Sequence, residues 1–176
     1  PYVVYKAMNC YEKWCQGGPD GAFYTATKSG WFDMNVFEDW FSGIFLPHVR
    51  RTDGKKLLIG DNLASHMSNK VITQCCEHNI EFVCFPPNTT DKLQPLDVGI
   101  FAPMKGAWKK MLNKLKVENP SVQVLDKNKF PGYLKNLLDE LKPGRFKAKA
   151  FQRCGLVQLN MEKAMERVPS IQSTQN

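Results

Sequence analysis

Long apolar runs are missing from this sequence. No stretch approaches the roughly 20 consecutive apolar residues that span a bilayer, so no membrane partner is predicted. Internal repeats are missing too, which excludes solenoids, and only residues 169–176 read as a loose polar tail. What remains is globular in character: 176 residues, 43% hydrophobic with 11 Phe and 4 Trp, suffice for one domain with a core.

Cysteines with metal-binding spacing are also absent. Six cysteines occur, but none forms a C-x-x-C motif, and Cys10 and Cys15 stand alone near the start. Cys75 and Cys76 are close in sequence to His66, but Cys75 falls on an apolar helical face. We therefore expect reduced, buried thiols there rather than a metal site, in a reducing and hence intracellular compartment.

Positive charge is concentrated in one segment. The net charge is +7, yet residues 1–104 carry 9 Lys/Arg and 11 Asp/Glu, whereas residues 105–149 carry 12 and 4. A basic segment of this kind is typical of a surface that faces polyphosphate. A solvated lysine-rich helix face is the alternative interpretation.

Hydrophobic periodicity predicts an α/β protein. Strands are predicted at residues 1–7, 55–61 and 80–85, and helices at residues 35–49, 68–79, 101–116 and 131–141. In the first helix Asn35 resembles a cap and Pro47 should end the pattern. A short segment at residues 150–160 precedes a final helical stretch that ends at Pro169. The alternation of strands and helices predicts a sheet covered by helices.

Two aspartates follow predicted strands. Asp61 ends the strand "KLLIG", and Asp97 follows the next strand after a proline-rich loop. Functional groups gather where the strands of an α/β sheet end, and carboxylates are the ligands that Mg²⁺ prefers. A turn or capping role is the simpler interpretation of either residue by spacing alone.

The motifs around these aspartates resemble a known family. "GDNLASH" followed by "FPPNTTDKLQPLDVGIFAPMK" is similar to the DDE-type endonuclease domain of pogo/Tigger transposases, which is related to jerky and centromere-protein-B-like proteins. The central matches are Asp61, Asn62, His66 and residues 86–90 and 94–97. Weaker matches upstream and downstream are Ser29, Gly30, Trp31, Phe151, Cys154, Gly155 and Asn160. The resemblance spans nearly the whole chain.

The resemblance implies an RNase H-like fold, in which helices flank a mixed sheet. It assigns residues 1–168 to a partial endonuclease domain and leaves residues 169–176 as the tail. Asp61 and Asp97 would be the second and third catalytic carboxylates, binding Mg²⁺ or Mn²⁺ for DNA strand cleavage and transfer.

The sequence also departs from the family pattern. The family's first aspartate lies on a strand before the part that matches residues 1–7, so we expect the first strands and the first ligand to be missing and the chain alone to be inactive. The acids that match no family position are read as loop or helix-surface residues: Asp20, Asp33, Asp39, Asp53 and Asp91. Two roles of His66 are left open: a structural imidazole and a function near the phosphate.

The resemblance implies DNA as the partner, in the nucleus. It allows a homo-oligomer and implies neither a membrane nor a small-molecule substrate. The lysines that follow Asp97 would contact the DNA backbone; they are Lys105, Lys109, Lys110, Lys114 and Lys116. Trp108, in contrast, is interpreted as a core residue. The alternatives are a domesticated protein that binds DNA or chromatin without cutting it, and a module that binds RNA or acidic proteins.

Overall fold

The computed structural model describes residues 1–61, 68–121 and 123–166. Its strands are β1 (Tyr2–Lys6), β2 (Phe23–Thr27), β3 (Lys56–Gly60) and β4 (Ile80–Cys84). Its helices are α1 (Met34–Trp40), α2 (Leu46–Val49), α3 (Asn69–Glu77), α4 (Thr90–Leu93), α5 (Phe101–Glu118), α6 (Phe130–Leu141), α7 (Gly144–Arg153) and α8 (Met161–Met165). Two π-helical turns, Phe41–Phe45 and Leu96–Ile100, lead into α2 and α5. The predicted α/β class is confirmed.

The strands form two parallel pairs in the described part of the chain. β1 pairs with β2 from Tyr2 opposite Phe23 to Lys6 opposite Thr27, and β3 pairs with β4 from Lys56 opposite Ile80 to Gly60 opposite Cys84. This differs from the single mixed sheet that the sequence predicted. The sequence also missed β2, because the glycines before it indicate a loop and its five residues show no clean alternation of apolar and polar positions.

The first predicted helix is confirmed, but its start and its interruption differ from the prediction. Asp33, not Asn35, caps α1, since its carboxylate accepts a hydrogen bond from the backbone N–H of Val36 at 3.0 Å. Pro47 does not end the helix and lies in the first turn of α2, which continues to Val49. Proline lacks an N–H, and it is tolerated here because the preceding π turn already breaks the regular ladder of hydrogen bonds.

The segment β3–α3–β4 follows the sequence closely. The hydroxyl of Ser68 accepts a hydrogen bond from the backbone N–H of Val71 at 3.3 Å, so Ser68 is the N-cap of α3 as predicted. Asn79 adopts a φ of 54°, the left-handed conformation that ends a helix. Its carbonyl then accepts from the backbone N–H of Lys56 at 3.0 Å, which aligns the starts of β3 and β4.

The main core lies between α1, α2, α3 and one face of the β3–β4 pair. Phe41 is 0% exposed and contacts the rings of Phe37 and Phe45, with ring centroids 6.4 and 5.2 Å away. The buried members of this core are Phe37, Phe41, Leu46, Val71, Cys75 and Ile80. Two of these six are aromatic, and further aromatic rings pack around them: Phe32, Trp40, Phe45 and Phe82.

A second aromatic cluster joins β1 and β2 to the helices that follow the second sheet. The ring of Tyr5 lies 5.4 Å from Trp14 and 5.9 Å from Phe130, and Phe130 in turn contacts Trp108 at 5.7 Å. The ammonium of Lys127 sits 4.5 Å from the centre of the Trp14 ring. Trp108 thus packs against α6, as the apolar stripe of α5 predicted.

Candidate active site and nucleic-acid interface

Asp61 lies at the carboxyl end of β3. The carbonyl of Gly60 accepts a hydrogen bond from the backbone N–H of Phe85 at 2.9 Å, so the two parallel strands end at the same edge. The residue is half-buried, and its Oδ1 atom is shielded from solvent. This arrangement sets Asp61 beside the start of the proline-rich loop that leads to Asp97.

The proline-rich loop is a tight turn. Asn88 adopts a φ of 60°, a left-handed conformation that asparagine tolerates better than most residues. The Thr89 hydroxyl donates a hydrogen bond to the carbonyl of Pro86 at 2.7 Å, and the first turn of α4 begins directly afterwards. The Pro-Pro-Asn-Thr-Thr motif therefore has a structural explanation, because it forms the turn between β4 and α4.

Asp97 lies in the π-helical turn Leu96–Ile100, which we call the Asp97 turn. Its backbone N–H donates to the carbonyl of Gln94 at 3.1 Å, and Pro95 between them is buried. The Oε1 atom of Gln94 is also buried and has no hydrogen-bond partner among the described residues. Single π turns are frequent at functional sites, and this one carries a half-buried carboxylate three residues after Gln94, whose amide oxygen is shielded from solvent.

The donor set at these two positions suits a hard divalent cation. The carboxylates of Asp61 and Asp97 and the amide oxygen of Gln94 are all oxygen donors, the type that Mg²⁺ and Mn²⁺ prefer. Within residues 1–61, 68–121 and 123–166, no group of three or more His, Cys, Asp and Glu side chains lies together. Asn62 and His66 lie outside the described residues. The described chain therefore offers two candidate carboxylates rather than a complete set.

Gly99 and Ala150 are in close contact, which the sequence did not predict. A Cβ atom on Gly99 would lie 2.6 Å from the Cβ and 3.0 Å from the Cα of Ala150, which is 0% exposed. Such short distances mean that only glycine permits this approach of α7 to the Asp97 turn. Gly99 and Ala150 thus position the helix that lies against the candidate site, and a tertiary contact of this kind has no local sequence signal.

The five lysines predicted to contact DNA lie on two flanks of α5, and all are exposed. At 3.6 residues per turn, Lys105, Lys109 and Lys116 fall within about 40° of one another. Lys110 and Lys114 lie on the other side of the apolar stripe, in a groove that also contains Glu118 and Glu140. Lys114 pairs with Glu118 at 3.9 Å. The predicted basic surface is therefore split, and acids weaken one half of it.

The Ser-Gly-Trp motif forms a turn after β2. Gly30 has a φ of 77° and lies against β1, where a Cβ would be 2.8 Å from the Cβ of Lys6. Its backbone N–H donates to the Thr27 hydroxyl at 2.9 Å. Trp31 is 77% exposed. The glycine of this motif therefore has a packing role, and the tryptophan adds nothing to the core.

The closing motif joins α7 to α8. Cys154 is buried at the end of α7, and Gly155 has a φ of 70°. A Cβ atom on Gly155 would clash with the carbonyl oxygen of Asn160. The Asn160 side chain accepts from the backbone N–H of Lys163 at 3.0 Å and so caps α8. These residues account for the motif as a helix end, a turn and a helix start.

Two cysteines that are separate in sequence meet in the structure. The Sγ atoms of Cys10 and Cys15 are 3.7 Å apart, and the Cys15 thiol donates to the carbonyl of Tyr11 at 3.5 Å. The described cysteines are free thiols. Burial, followed by the hydrogen bond and charge of Cys15, raises the pKa of the Cys10 thiol to about 11. All three effects disfavour the thiolate form of Cys10.

We expect Cys10 to react slowly with iodoacetamide at neutral pH. Only the thiolate is an effective nucleophile, so a pKa raised to about 11 keeps the reactive fraction small until the pH approaches that value. Mass spectrometry of alkylated peptides across a pH series measures the rate, with the exposed Cys76 as the internal control. Alkylation of Cys10 as fast as Cys76 at pH 7 would contradict the prediction.

Comparison with known proteins identifies one family. The model of the DDE superfamily endonuclease matches residues 1–169. The Jerky protein of Mus musculus is 33% identical over 85 residues, which are 44% of this chain and 15% of that protein. Tigger transposable element-derived protein 7 of Homo sapiens is 29% identical over 104 residues, 52% of this chain and 19% of that protein. No solved structure matches.

One relative carries a name of another kind. A protein of Cochliobolus lunatus named MFS-type transporter clz9 is 31% identical over 121 residues, 65% of this chain but 13% of that protein. In the described part of this chain no helix is long and apolar enough to cross a membrane. The match covers less than a fifth of the length of each of these three relatives. Their names therefore describe proteins most of whose length is not matched by this chain.

Proposed function

Because the chain belongs to the DDE superfamily endonuclease family, we propose that it carries two of the catalytic carboxylates of a DNA-cutting and DNA-joining enzyme. The residues are Asp61 and Asp97. The observation that carries the proposal is the common edge at which β3 and β4 end, with Asp61 next to the loop that leads to the Asp97 turn.

The proposal includes a divalent cation, Mg²⁺ or Mn²⁺, held by both carboxylates in the complete protein. When bound, such ions polarise the phosphodiester and lower the pKa of the attacking hydroxyl or water. The chain's own contribution is to hold two negative charges where they are partly shielded from solvent, with Gln94, three residues before Asp97, as a further candidate oxygen ligand. Shielding from water strengthens the attraction of these oxygens for a cation.

We further propose an RNase H-like fold over residues 1–168, in which the two strand pairs belong to one larger sheet. Parallel sheets are normally covered on both faces. On the β3–β4 pair, however, Leu57 is 58% and Val83 39% exposed. This uncovered apolar surface supports further packing partners in the complete protein, and the match to much longer relatives agrees with that.

DNA is the proposed partner and the nucleus the proposed location. The α5 lysines supply part of the positive surface, with Lys105, Lys109 and Lys116 on the flank that Glu118 and Glu140 do not share. Contacts with phosphate would make DNA binding fall steeply with salt. Neither a small-molecule substrate nor a membrane enters this proposal, and the oligomeric state does not affect it.

A DNA-binding role without cleavage is the second candidate function. It is favoured by the two-carboxylate set of the described residues and by a relative whose name states that it is derived from a transposable element. Both functions need the basic surface. They differ in whether Asp61 and Asp97 bind metal, so metal affinity separates them.

Asp61→Asn and Asp97→Asn are each expected to weaken Mn²⁺ binding at least about tenfold, the loss that even outer partners of a metal site cause. Each change removes one negative charge and one oxygen ligand with little change in shape. Titration followed by electron paramagnetic resonance of free Mn²⁺ measures the affinity without relying on catalysis.

Asp91→Asn is the matched control, because Asp91 lies in the short helix α4 between the proline-rich loop and the Asp97 turn, with its side chain 75% exposed. Its affinity for Mn²⁺ should stay within about twofold of the unchanged chain, since surface charges at a distance are well screened. The catalytic proposal fails if Asp91→Asn weakens binding as much as Asp97→Asn, or if neither site variant changes it. The second candidate function would then stand.

A further inference from the structure

The groove between α7 and the Asp97 turn is lined by three basic side chains and no acidic one. It has a volume of about 530 Å³. Its floor consists of small and apolar residues from the Asp97 turn, the first turn of α5 and α7. The lining is Val98, Gly99, Ala102, Pro103, Arg145, Phe146, Lys149, Ala150 and Arg153.

The basic side chains form a regular row along α7. Arg145, Lys149 and Arg153 are four residues apart, so they project from one face of the helix at steps of about 6 Å. All three are exposed. The row continues into an adjacent groove, where Lys149 and Arg153 are joined by Lys163 of α8 and by one acid, Glu166. The result is a positive track across two neighbouring grooves.

The row on α7 is less neutralised than the side of α5 that carries Lys110 and Lys114, which shares its groove with Glu118 and Glu140. Among the described residues, no carboxylate lies within 4.0 Å of the charged nitrogens of Arg145, Lys149 or Arg153, whereas Lys114 on α5 is paired with Glu118. Charges left without a partner on a surface attract anions from solution more strongly than charges held in ion pairs. The row on α7 is therefore an anion-attracting feature that lies against the Asp97 turn.

We propose that this groove, which we call the α7 groove, binds the phosphate backbone of DNA and leads the strand past the Asp97 turn. This proposal rests on the function proposed above and names a surface for its substrate. An open track with several cations in a row suits a linear polyanion, whereas a single small anion needs an enclosed site with converging donors. The apolar floor admits the sugar edges of a strand without burying further charge.

The contact between Gly99 and Ala150 explains why this surface sits where it does. Because α7 touches the backbone of the Asp97 turn, its basic row has a fixed position relative to the candidate catalytic residue. Lys114 and Lys116 of α5, in contrast, lie 17 and 19 residues after Asp97, which is about 25 Å or more along a helix. A strand held by α7 would be closer to Asp97 than one held at the far end of α5.

The test is the salt dependence of DNA binding by a triple variant, Arg145→Gln/Lys149→Gln/Arg153→Gln. Fluorescence anisotropy with a labelled DNA duplex gives the affinity at several salt concentrations, in EDTA so that metal plays no part. We expect the slope of log affinity against log salt to become shallower by about 2 to 3, since each phosphate contact contributes about 0.9.

The matched control is Arg50→Gln/Arg51→Gln/Lys55→Gln, which also removes two arginines and one lysine, but near the amino end of β3. All three side chains are exposed, and they lie near one end of β3 whereas Asp61 lies at the other end. The slope of this variant should change by less than about 1, one phosphate contact. Equal changes in both triple variants would overturn the proposal, because they would report net charge alone.

Two further measurements test the proposal if the first triple variant folds poorly. Arg145→Lys/Arg153→Lys preserves every charge and should keep the slope of the unchanged chain. A polyglutamate or an RNA duplex that displaces the protein from DNA as effectively as unlabelled DNA does would overturn the assignment to DNA. The proposal for the α7 groove and the proposal for the metal site can be contradicted independently. The first is tested by DNA binding in EDTA, and the second by Mn²⁺ affinity without DNA.

Discussion

Phe41→Ala is expected to lower the free energy of unfolding by about 3–5 kcal/mol. Phe41 is 0% exposed and lies between two other aromatic rings in the main core, so its removal leaves a cavity that the rigid π turn around it closes poorly. Since domains of this size are commonly stable by about 5–15 kcal/mol, the change removes a large part of the total. Urea denaturation followed by circular dichroism measures it.

Trp31→Ala serves as the control for this prediction. It removes an even larger aromatic ring, but Trp31 is 77% exposed, and substitutions at such positions usually change stability by less than about 0.5 kcal/mol. If Trp31→Ala destabilised the chain as much as Phe41→Ala, the core would lie elsewhere than the structure places it.

The parts of the fold that the sequence predicted well are those with strong local signals. Ser68 and Asn79 bracket α3 because a hydroxyl cap and a residue in the left-handed conformation are both local requirements of a helix. The strands on either side are short apolar runs bounded by turns. In this segment the local preferences and the tertiary structure agree, so the bounds were predicted nearly correctly.

The parts that the sequence missed are those whose structure depends on distant contacts. No helix is predicted from the sequence over Gly144–Arg153, because basic residues interrupt the apolar ones along this segment. Its one buried residue, Ala150, packs against Gly99, which is 51 positions earlier. The residues of α7 do separate into a basic and a less polar face, but the segment is strongly polar on average, so it lacks the apolar stripe by which helices are usually recognised in a sequence.

The candidate site shows the same division. Motifs identified Asp61 and Asp97 as residues of interest, and local structure explains much of the motif around them as turns and caps. The basic row on α7 could have been found from its four-residue spacing, but only the structure brings it beside the Asp97 turn. Its functional meaning is therefore a tertiary property, whereas the charge excess alone was visible in the sequence.

Gly99 is the residue on which the position of the α7 groove depends most directly. A methyl group there would lie 2.6 Å from the Cβ and 3.0 Å from the Cα of Ala150, distances that real side chains do not adopt. Ala150 cannot rotate away, since its Cβ has no torsional freedom. Relief therefore requires α7 or the Asp97 turn to move, which shifts the basic row relative to the carboxylate.

Gly99→Ala is thus expected to lower the free energy of unfolding by about 1–3 kcal/mol, the usual cost of overpacking, and to weaken DNA binding. Gly106→Ala on α5 should have the opposite sign and stabilise the chain by about 0.5–1 kcal/mol, because its Cβ would meet no described atom within 4 Å and alanine favours a helix interior. Urea denaturation of both variants, with anisotropy of labelled DNA, measures the two effects. A stabilising Gly99→Ala would show that α7 does not rest on the Asp97 turn, and the proposed path of DNA past Asp97 would then have no structural support.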